Sequence, residues 1–420
     1  MAQHITMKVL LLSYGFDGTD VGEVFVAYKW AKALAPHVDL TLLSFERSGR
    51  PTVAEQIPEA EAVTWPEPAF LHRFERFNAT LKPAYPLLFR FVHKWLQKQL
   101  LQGRRFDLAH QIMPLAARYP CPFHNQKIPY IIGPIGGALQ TPPGFTSEVG
   151  KTSWYTRLRN IDGLRFRYDP WLRKSYSEAE IVLGVAPYVQ ERLANVPLKR
   201  FEPLLELGVD GIPSEHTKGS ADGLRLLHVG RGVRTKGLRD VIRAMALISD
   251  LPDVTLTSAG AGEEIEFARK EAEKLGVLDR VTFMGKVPRA EIDHLYRTSD
   301  VFVFPSFREP TGGVLYEAMQ WGLPVITVDY GGPAFVTDDT CALRLPVSTP
   351  EALARDVARS IRTLYANRRR REEMGEAAQK KVLAEGLWEK KAALMLDLYE
   401  SVLEGGRPAV CLTARGGKRE

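Results

Sequence analysis

The chain reads as an α/β protein of doubly wound parallel sheets. Short apolar runs alternate with stretches of helical periodicity from end to end, the pattern of βαβ units with parallel strands. At 420 residues it is long enough for two such domains. An interval rich in Gly, Pro and small polar residues, Leu207–Asp222, divides it into halves and reads as a linker.

Strands are expected in the first half at Lys8–Tyr14, Val38–Phe45, Glu61–Trp65, Phe106–Ile112, Pro129–Ile132 and Glu180–Val185, and in the second at Leu224–Val229, Val254–Ala259, Val281–Met284, Val301–Phe304 and Pro324–Val328. Most are brief apolar runs rich in Val, Ile, Leu or Phe, as strands buried on both faces require. A helix is expected over Val24–Ala35, behind a loop carrying Gly15, Gly18 and Gly22, and another from Leu238. The last helices run from Pro350 to about Glu404, and the residues after Gly405 read as a frayed tail. The organisation expected is a first domain over 1–208, a second over 209–385, a closing helix over 386–404 and a tail over 405–420. Two doubly wound domains facing each other place the C-terminal ends of their strands at a shared cleft, where such folds bind ligands.

Composition excludes several classes. Lys and Arg number 56 against 50 Asp and Glu, a net charge of +6, too mild an excess for a nucleic-acid binder. The three cysteines, Cys121, Cys341 and Cys411, lie far apart, without metal-ligand or redox spacing, and the odd count suits a reducing compartment. The apolar run Val9–Leu12 is too short for a signal-peptide core. No stretch approaches the roughly 18 apolar residues of a membrane span. The expectation is a soluble cytoplasmic enzyme.

One segment carries most of the chemistry. Glu309-Pro310-Thr311-Gly312-Gly313-Val314-Leu315-Tyr316-Glu317 follows the expected strand Val301–Phe304 and runs into a helix, since Val314, Leu315, Ala318 and Met319 share a helical face. Thr311 is expected to cap that helix, with Gly312 and Gly313 in its first turn. Two glycines there weaken the helix and are useful only where something approaches the backbone closely. Free first-turn N–H groups at the positive end of a helix dipole form an anion site suited to phosphate.

The wider stretch Val301–Gly332, with Pro305-Ser306, Glu309, Gly312-Gly313, Glu317-Ala318-Met319, Gly322-Leu323-Pro324-Val325-Ile326 and Gly331-Gly332-Pro333, resembles the donor-site signature of the retaining glycosyltransferases of family four, also called glycosyl transferases group 1, which have the GT-B fold. Gly230-Arg231 and Lys236-Gly237, four residues apart, complete that family's second pattern, and Leu207-Gly208-Val209-Asp210 resembles its inter-domain crossover. The resemblance implies that Arg231 and Lys236 bind the donor diphosphate, and that Glu309 bonds hydroxyls of the donor sugar. It implies that Glu317 bonds the ribose, with Thr311, Gly312 and Gly313 beside the phosphates. Fixed cations at the leaving oxygens stabilise the charge that develops as the sugar bond breaks. Taken alone, a basic loop between strand and helix is equally a solvated turn.

Further residues follow from the same resemblance. Gly22 belongs to the glycine-rich loop that faces the donor across the cleft, although Val21 stands where the family often has a second glycine. His110 resembles a first-domain histidine near the transferred sugar; a lone histidine is also commonly structural. Gly133-Pro134-Ile135-Gly136-Gly137 resembles a turn of exopolysaccharide-type members and reads as a packed turn or as part of the acceptor side. Gly260-Ala261-Gly262 and Gly285-Lys286-Val287 correspond to loops that meet the base through backbone atoms. The family's last helix crosses back onto the first domain, a role open to Trp388–Leu403.

The activity implied is transfer of a sugar from a nucleotide-diphosphate donor to a saccharide or lipid-linked acceptor, with retention and without a metal. Turnover without an acceptor would indicate an epimerase, a need for free phosphate a phosphorylase, and binding without transfer a non-catalytic protein. Two stretches are basic and aromatic: Leu87–Leu101, with Arg90, Lys94 and Lys98 opposite Leu88, Phe91, Val92 and Trp95, and Trp154–Tyr176, with Arg157, Arg159, Arg165, Arg167, Arg173 and Lys174. Each reads as a core-facing helix with a solvated basic side or as a contact with an anionic membrane surface.

Overall fold

The computed structural model describes residues 6–69, 81–137, 139–149, 162–213 and 223–405. Among them, β1 (Lys8–Leu12), β2 (Asp39–Glu46), β3 (Glu61–Pro66), β4 (Leu108–Gln111), β5 (Tyr130–Ile135), β6 (Ile181–Gly184) and β7 (Phe201–Pro203) form one parallel sheet in the order β3-β2-β1-β4-β5-β6-β7. A second parallel sheet contains β8 (Leu224–Val229), β9 (Val254–Ala259), β10 (Val281–Gly285), β11 (Val301–Phe304), β12 (Val325–Val328) and β13 (Ala342–Leu345), in the order β10-β9-β8-β11-β12-β13. Each is a doubly wound sheet whose strand order reverses once, between β1 and β4 and between β8 and β11.

Strand alternation divides each sheet between two cores. Leu10 and Leu12 of β1 point into one cluster, Val9 and Leu11 into the other. In the second sheet Val301 and Val303 face one side, Phe302 and Phe304 the other. Of the expected strands, β8, β9 and β11 are found with the expected ends and the others with shifted ends; β7 and β13 were not expected. Both lie at sheet edges, and neither is an apolar run: β7 is Phe-Glu-Pro and β13 carries Arg344. An edge strand takes its place from one neighbour's ladder, which leaves a weak local signal.

Three connections set the sheets relative to each other. At the crossover the Val209 N–H donates to Gly386 O at 2.9 Å, and the Trp388 N–H donates to Val209 O at 3.1 Å, so the chain's two passages between the sheets run side by side. The closing helix Trp388–Leu403 then lies on the first domain. Trp388 meets Trp30 edge to face at 5.5 Å, and Met395, Leu398 and Tyr399 join the cluster containing Val9 and Leu11. The third connection, over residues 139–149, leaves the first sheet after β5. It plants Phe145, fully buried, in the core of the second domain, where its ring stacks on Phe307 at 4.1 Å.

His110 is a core residue, which corrects the expectation that it faces the sugar. On β4 it lies level with Leu11 and Ile131 and is fully buried. Its Nδ1 meets the Tyr399 hydroxyl at 2.7 Å and its Nε2 meets Gly133 O at 2.5 Å. Burial pushes its pKa down to about 4, against the opposing pull of the Gly133 carbonyl. The ring is therefore neutral: Nε2–H donates to Gly133 O and Tyr399 O–H donates to Nδ1. No ring nitrogen remains for a substrate.

The helix Tyr85–Leu101 is core-facing. Tyr85, Leu88, Phe89, Val92 and Leu96 are buried, whereas Phe91, expected on the apolar side, is 38% exposed and stacks on Trp65. Of the second basic stretch, Trp154, Arg157 and Arg159 lie outside the described residues. Arg165 is paired with Asp169 at 2.9 Å, Lys174 lies 3.5 Å from Glu178, and Arg173 donates to Phe166 O and Asn195 O. Residues 214–222 of the expected linker and 406–420 of the expected tail also lie outside the described residues. No described helix is long and apolar enough to cross a membrane.

Two stability experiments test this packing. Tyr399→Phe leaves His110 Nδ1 buried without a donor and should cost about 1–3 kcal/mol in urea unfolding; Trp388→Ala should cost about 3–5 kcal/mol. Because the folded-state pKa of His110 lies below its ordinary 6.5, the unfolded chain takes up the proton first. The stability tied to this group is complete above about pH 6.5. It should be lost as pH falls toward 4, by about 3 kcal/mol.

Candidate functional site

The strand order places the loops after β8 and β11 side by side, because these strands are neighbours where the second sheet reverses. The loop after β8 ends in a 3₁₀ turn, Arg234–Lys236, closed by Gly237 at φ 81°. Ser306 Oγ donates to Thr235 O at 2.8 Å, and His228 Nε2–H donates to Lys236 O at 3.0 Å. Burial holds His228 neutral, with its pKa down to about 4. The turn is thereby fastened to the end of β11, and the Lys236 ammonium lies over the Phe304 ring at 5.4 Å.

Lys236 and Glu309 form an ion pair through Nζ and Oε2, both residues being over nine-tenths buried. The other oxygen, Glu309 Oε1, accepts from the Thr311 N–H and hydroxyl, each at 3.3 Å, and faces the Gly312 N–H at 3.4 Å. Burial works against the charge on Glu309, but the Lys236 ammonium and these donors outweigh it and hold the carboxyl below the usual range. Resemblance assigned Lys236 to phosphate and Glu309 to sugar; the structure joins them directly.

The helix begins one residue later than expected, over Gly313–Met319 with Gly312 as its cap. The reason is backbone geometry. Gly312 sits at φ 96°, where a side chain is strained, so Thr311 stays outside and turns its hydroxyl to Glu309. Gly313 has a different cause: a Cβ there would stand 3.1 Å from Leu207 Cδ1 of the crossover. Glu317, on the same helix, accepts from Arg289 at 2.9 Å and from the Tyr296 hydroxyl at 3.4 Å. Val287 is half-buried against the cluster that contains Leu315 and Tyr296.

The loop's three cations have different fates. Arg231 is exposed, and its side chain has no hydrogen bond or ion pair among the described residues. Lys236 is paired within the site. Arg234 is buried: it forks onto Asp240 at 2.6 and 2.8 Å, and its Nε donates to Glu148 at 2.6 Å. Its guanidinium also lies over Phe307 and Phe145, at 5.1 and 5.8 Å. Arg234 and Glu148 escaped sequence reading because their meeting depends on the segment 139–149, which brings Glu148 across from the first domain. Asp240 was nearer, but an aspartate in a helix's first turn is ordinary.

That same segment brings together loops at the C-terminal ends of both sheets. Arg308, after β11, donates to Thr141 Oγ1 at 3.0 Å, and Tyr330, after β12, donates to Gln140 O at 3.1 Å. Tyr188, after β6, donates to Gly137 O at 3.2 Å. Gly22 caps the helix Glu23–Leu34 after β1 at φ 73°, with open space where a Cβ would stand. Of the expected residues, Arg231, Lys236, Glu309, Thr311, Gly312, Gly313 and Glu317 lie on the two loops and the short helix around the ion pair. Val287 lies on the adjoining β10 loop, Gly22 on the first domain and His110 inside its core. Among the described residues no group of three or more His, Cys, Asp or Glu is placed to hold a metal ion.

Residues 215–381 match the sequence model of the glycosyl transferases group 1 family. An uncharacterized glycosyltransferase of Methanocaldococcus jannaschii is 30% identical over 184 residues, 44% of this chain and 46% of that protein. A D-inositol 3-phosphate glycosyltransferase of Segniliparus rotundus is 32% identical over 219 residues, 50% of this chain and 45% of that protein. The chain thus spans about half the length of these relatives. Among solved structures, sucrose-phosphate synthase from Thermosynechococcus elongatus superposes with a TM-score of 0.64 at 20% identity, covering 95% of this chain and 100% of that one. The Anabaena HepE protein, in complex with UDP and glucose, gives 0.59 at 17% identity over 94% and 100%. The chain has the GT-B fold, and residues 215–381 carry its match to the glycosyl transferases group 1 family.

Proposed function

We propose that this protein is a retaining glycosyltransferase that moves a sugar from a nucleotide-diphosphate donor to an acceptor without a metal ion. The observation that carries the reading is the Lys236–Glu309 pair, set between two loops at the strand-order reversal, with Arg231 unengaged beside it. Arg231 and Lys236 take the donor diphosphate, the guanidinium as a two-pronged donor and the ammonium as a point charge. The arriving phosphate competes with Glu309 for Lys236, which turns the carboxylate toward hydroxyls of the sugar. Glu317 exchanges Arg289 for the ribose hydroxyls. The bond from the anomeric carbon to the diphosphate breaks, the acceptor oxygen bonds on the same face, and the acceptor's proton passes to the departing phosphate. The cations stabilise charge that grows as that bond breaks.

The first test is a panel of UDP-, GDP- and ADP-sugars, read by thermal shift and then by transfer, since a ligand that binds the folded state raises its stability. The UDP of the Anabaena structure makes uridine donors the first arm. Binding followed by transfer with retained configuration supports the reading. Binding without transfer to any acceptor would leave a sugar-nucleotide-binding protein instead.

With a donor in hand, Arg231→Ala and Lys236→Ala should each lower transfer about 10²–10³-fold. Saturating EDTA should leave turnover unchanged; strict dependence on added Mg²⁺ would overturn the metal-free step.

The two glutamates should separate kinetically. Glu309→Gln should mainly lower kcat, without weakening free nucleoside diphosphate, because Lys236 then has no carboxylate partner. Glu317→Ala removes a contact made equally in ground and transition states, so it should raise the donor KM about tenfold with little change in kcat.

The acceptor side is the first domain. Arg90, Lys94 and Lys98 are exposed on the helix Tyr85–Leu101, beside exposed Leu87 and Phe91, which favours a lipid-linked acceptor at an anionic surface. Each such cation contributes about 1 kcal/mol, screened by salt. The protein should co-sediment with phosphatidylglycerol vesicles at low salt and be released at high salt. No binding at low salt, with efficient transfer to a soluble saccharide, would remove the membrane contact.

A further inference from the structure

The crossover carries a carboxyl that the mechanism above does not use. Glu206 is 6% exposed. Its backbone is fastened from the first domain, where Trp30 Nε1 donates to Glu206 O at 2.8 Å; next to it, Leu205 O accepts from Lys391 Nζ at 3.0 Å. Its side chain is less completely held: Oε2 is buried and has no hydrogen-bond partner. Buried acceptors left empty are uncommon, because nothing replaces the water they lose.

The surroundings say what kind of group suits that oxygen. The next residue, Leu207, packs against Gly313 at the start of the helix that follows Glu309; the Lys391 ammonium, the Glu309 carboxylate and the Thr311 hydroxyl all bear on the Glu206 carboxyl, and the charges of Glu206 and Glu309 are both felt by the Tyr188 phenol. These groups come from the closing helix, the loop after β11 and the loop after β6, so Glu206 stands where the two domains meet, beside the Lys236–Glu309 pair. Burial pushes Glu206 up to about 7, with Glu309 adding to the rise and Lys391 and Thr311 opposing it. Glu309 is held low by Lys236. One carboxyl is therefore charged, while its neighbour keeps a proton through the acidic side of neutrality. A protonated carboxyl donates and accepts, as a sugar hydroxyl does. A phosphate oxygen, by contrast, would meet a second negative charge whenever Glu206 ionised.

We propose that Glu206 is a further saccharide-binding residue of this site, whose free Oε2 takes a hydroxyl of the donor sugar held against Glu309. The proposal rests on the reading of the Lys236–Glu309 loops as a sugar-nucleotide site and adds a contact to the sugar alone. It separates Glu206 from a purely structural counter-charge for Lys391, which would affect every ligand alike.

The test compares wild type, Glu206→Gln and Glu206→Met by calorimetric titration with UDP-glucose, GDP-mannose and ADP-glucose, and with UDP, GDP and ADP. For the matching pair, the free diphosphate should bind all three proteins equally, since it rests on Arg231 and Lys236. The sugar nucleotide should lose about tenfold relative to its diphosphate in Glu206→Met, and about threefold in Glu206→Gln, whose amide restores a polar partner in altered geometry. An unchanged ratio in the variants, or equal weakening of diphosphate and sugar nucleotide, would overturn the assignment. If Glu206→Met does not fold, the ratio in Glu206→Gln decides. Wild-type protein that binds none of the six ligands would overturn the donor reading and Glu206's role with it, a result distinct from binding whose ratio ignores residue 206.

Discussion

A buried lysine and a buried glutamate, 73 residues apart in sequence, share one ion pair between the loops that follow β8 and β11. Neither charge is favourable there alone. Removing one partner of such a pair typically costs about 3–5 kcal/mol, because the other charge is left uncompensated in a low dielectric. The surrounding contacts serve to keep the two in register. Ser306 and His228 hold the turn that presents Lys236, and Thr311 and Gly312 hold the second oxygen of Glu309. An anion that arrives with charge of its own can enter this arrangement by exchange, which spares Lys236 an unpaired state.

The relation of the two sheets is set by contacts remote from the ion pair in sequence. The crossover at Val209 and the return at Leu387 lie together, and the closing helix fixes the return to the first domain through Trp30 and Trp388. On the opposite side, residues 139–149 bury Phe145 in the second domain and deliver Glu148 to Arg234. Arg234, two residues from Lys236 in the chain, is in turn held by Asp240. The first domain thus has a direct mechanical hold on the loop proposed to bind phosphate. A shift between the domains would be felt there through a hydrogen-bonded arginine rather than through solvent.

Burial, and not residue type, sorts the charged groups. Arg231, Arg234 and Lys236 lie within six residues of one basic loop, yet one is exposed, one is locked into the core and one is paired within the site. Glu206, Glu309 and Glu317 are likewise three carboxyls around one short helix. Glu309 is kept charged by an ammonium, Glu317 answers Arg289 at a half-exposed rim, and Glu206 is raised by desolvation. The roles proposed for them, Glu206 and Glu309 at the sugar and Glu317 at the ribose, follow from those environments.

The local pattern determined much of this protein. Strands such as Leu224–Val229, Val254–Ala259 and Val301–Phe304 lie over the apolar-rich runs that predict them, because the core-facing positions of a strand must be apolar even where, as at Arg225 and Thr255, the intervening residue is polar. The loops bearing Arg231, Lys236 and Glu309, and the helix start ahead of Glu317, were legible for a related reason: Gly residues that interrupt strand and helix patterns mark backbone that must turn sharply. Edge strands β7 and β13 were not legible, since half of their stabilisation comes from a neighbouring ladder. The cap at Gly312 was misplaced by one residue, because a positive φ leaves no trace beyond a glycine that has other uses. His110 could not be placed from sequence, as its partners Tyr399 and Gly133 lie 289 and 23 residues away. The same holds for Glu148 on Arg234 and for Glu206 beside Glu309. Hydrophobic period is a property of consecutive residues, so the chain alone specifies its strands and helices. The charge state and exposure of a side chain depend on what the folded chain brings against it from elsewhere, and only the tertiary structure decides that.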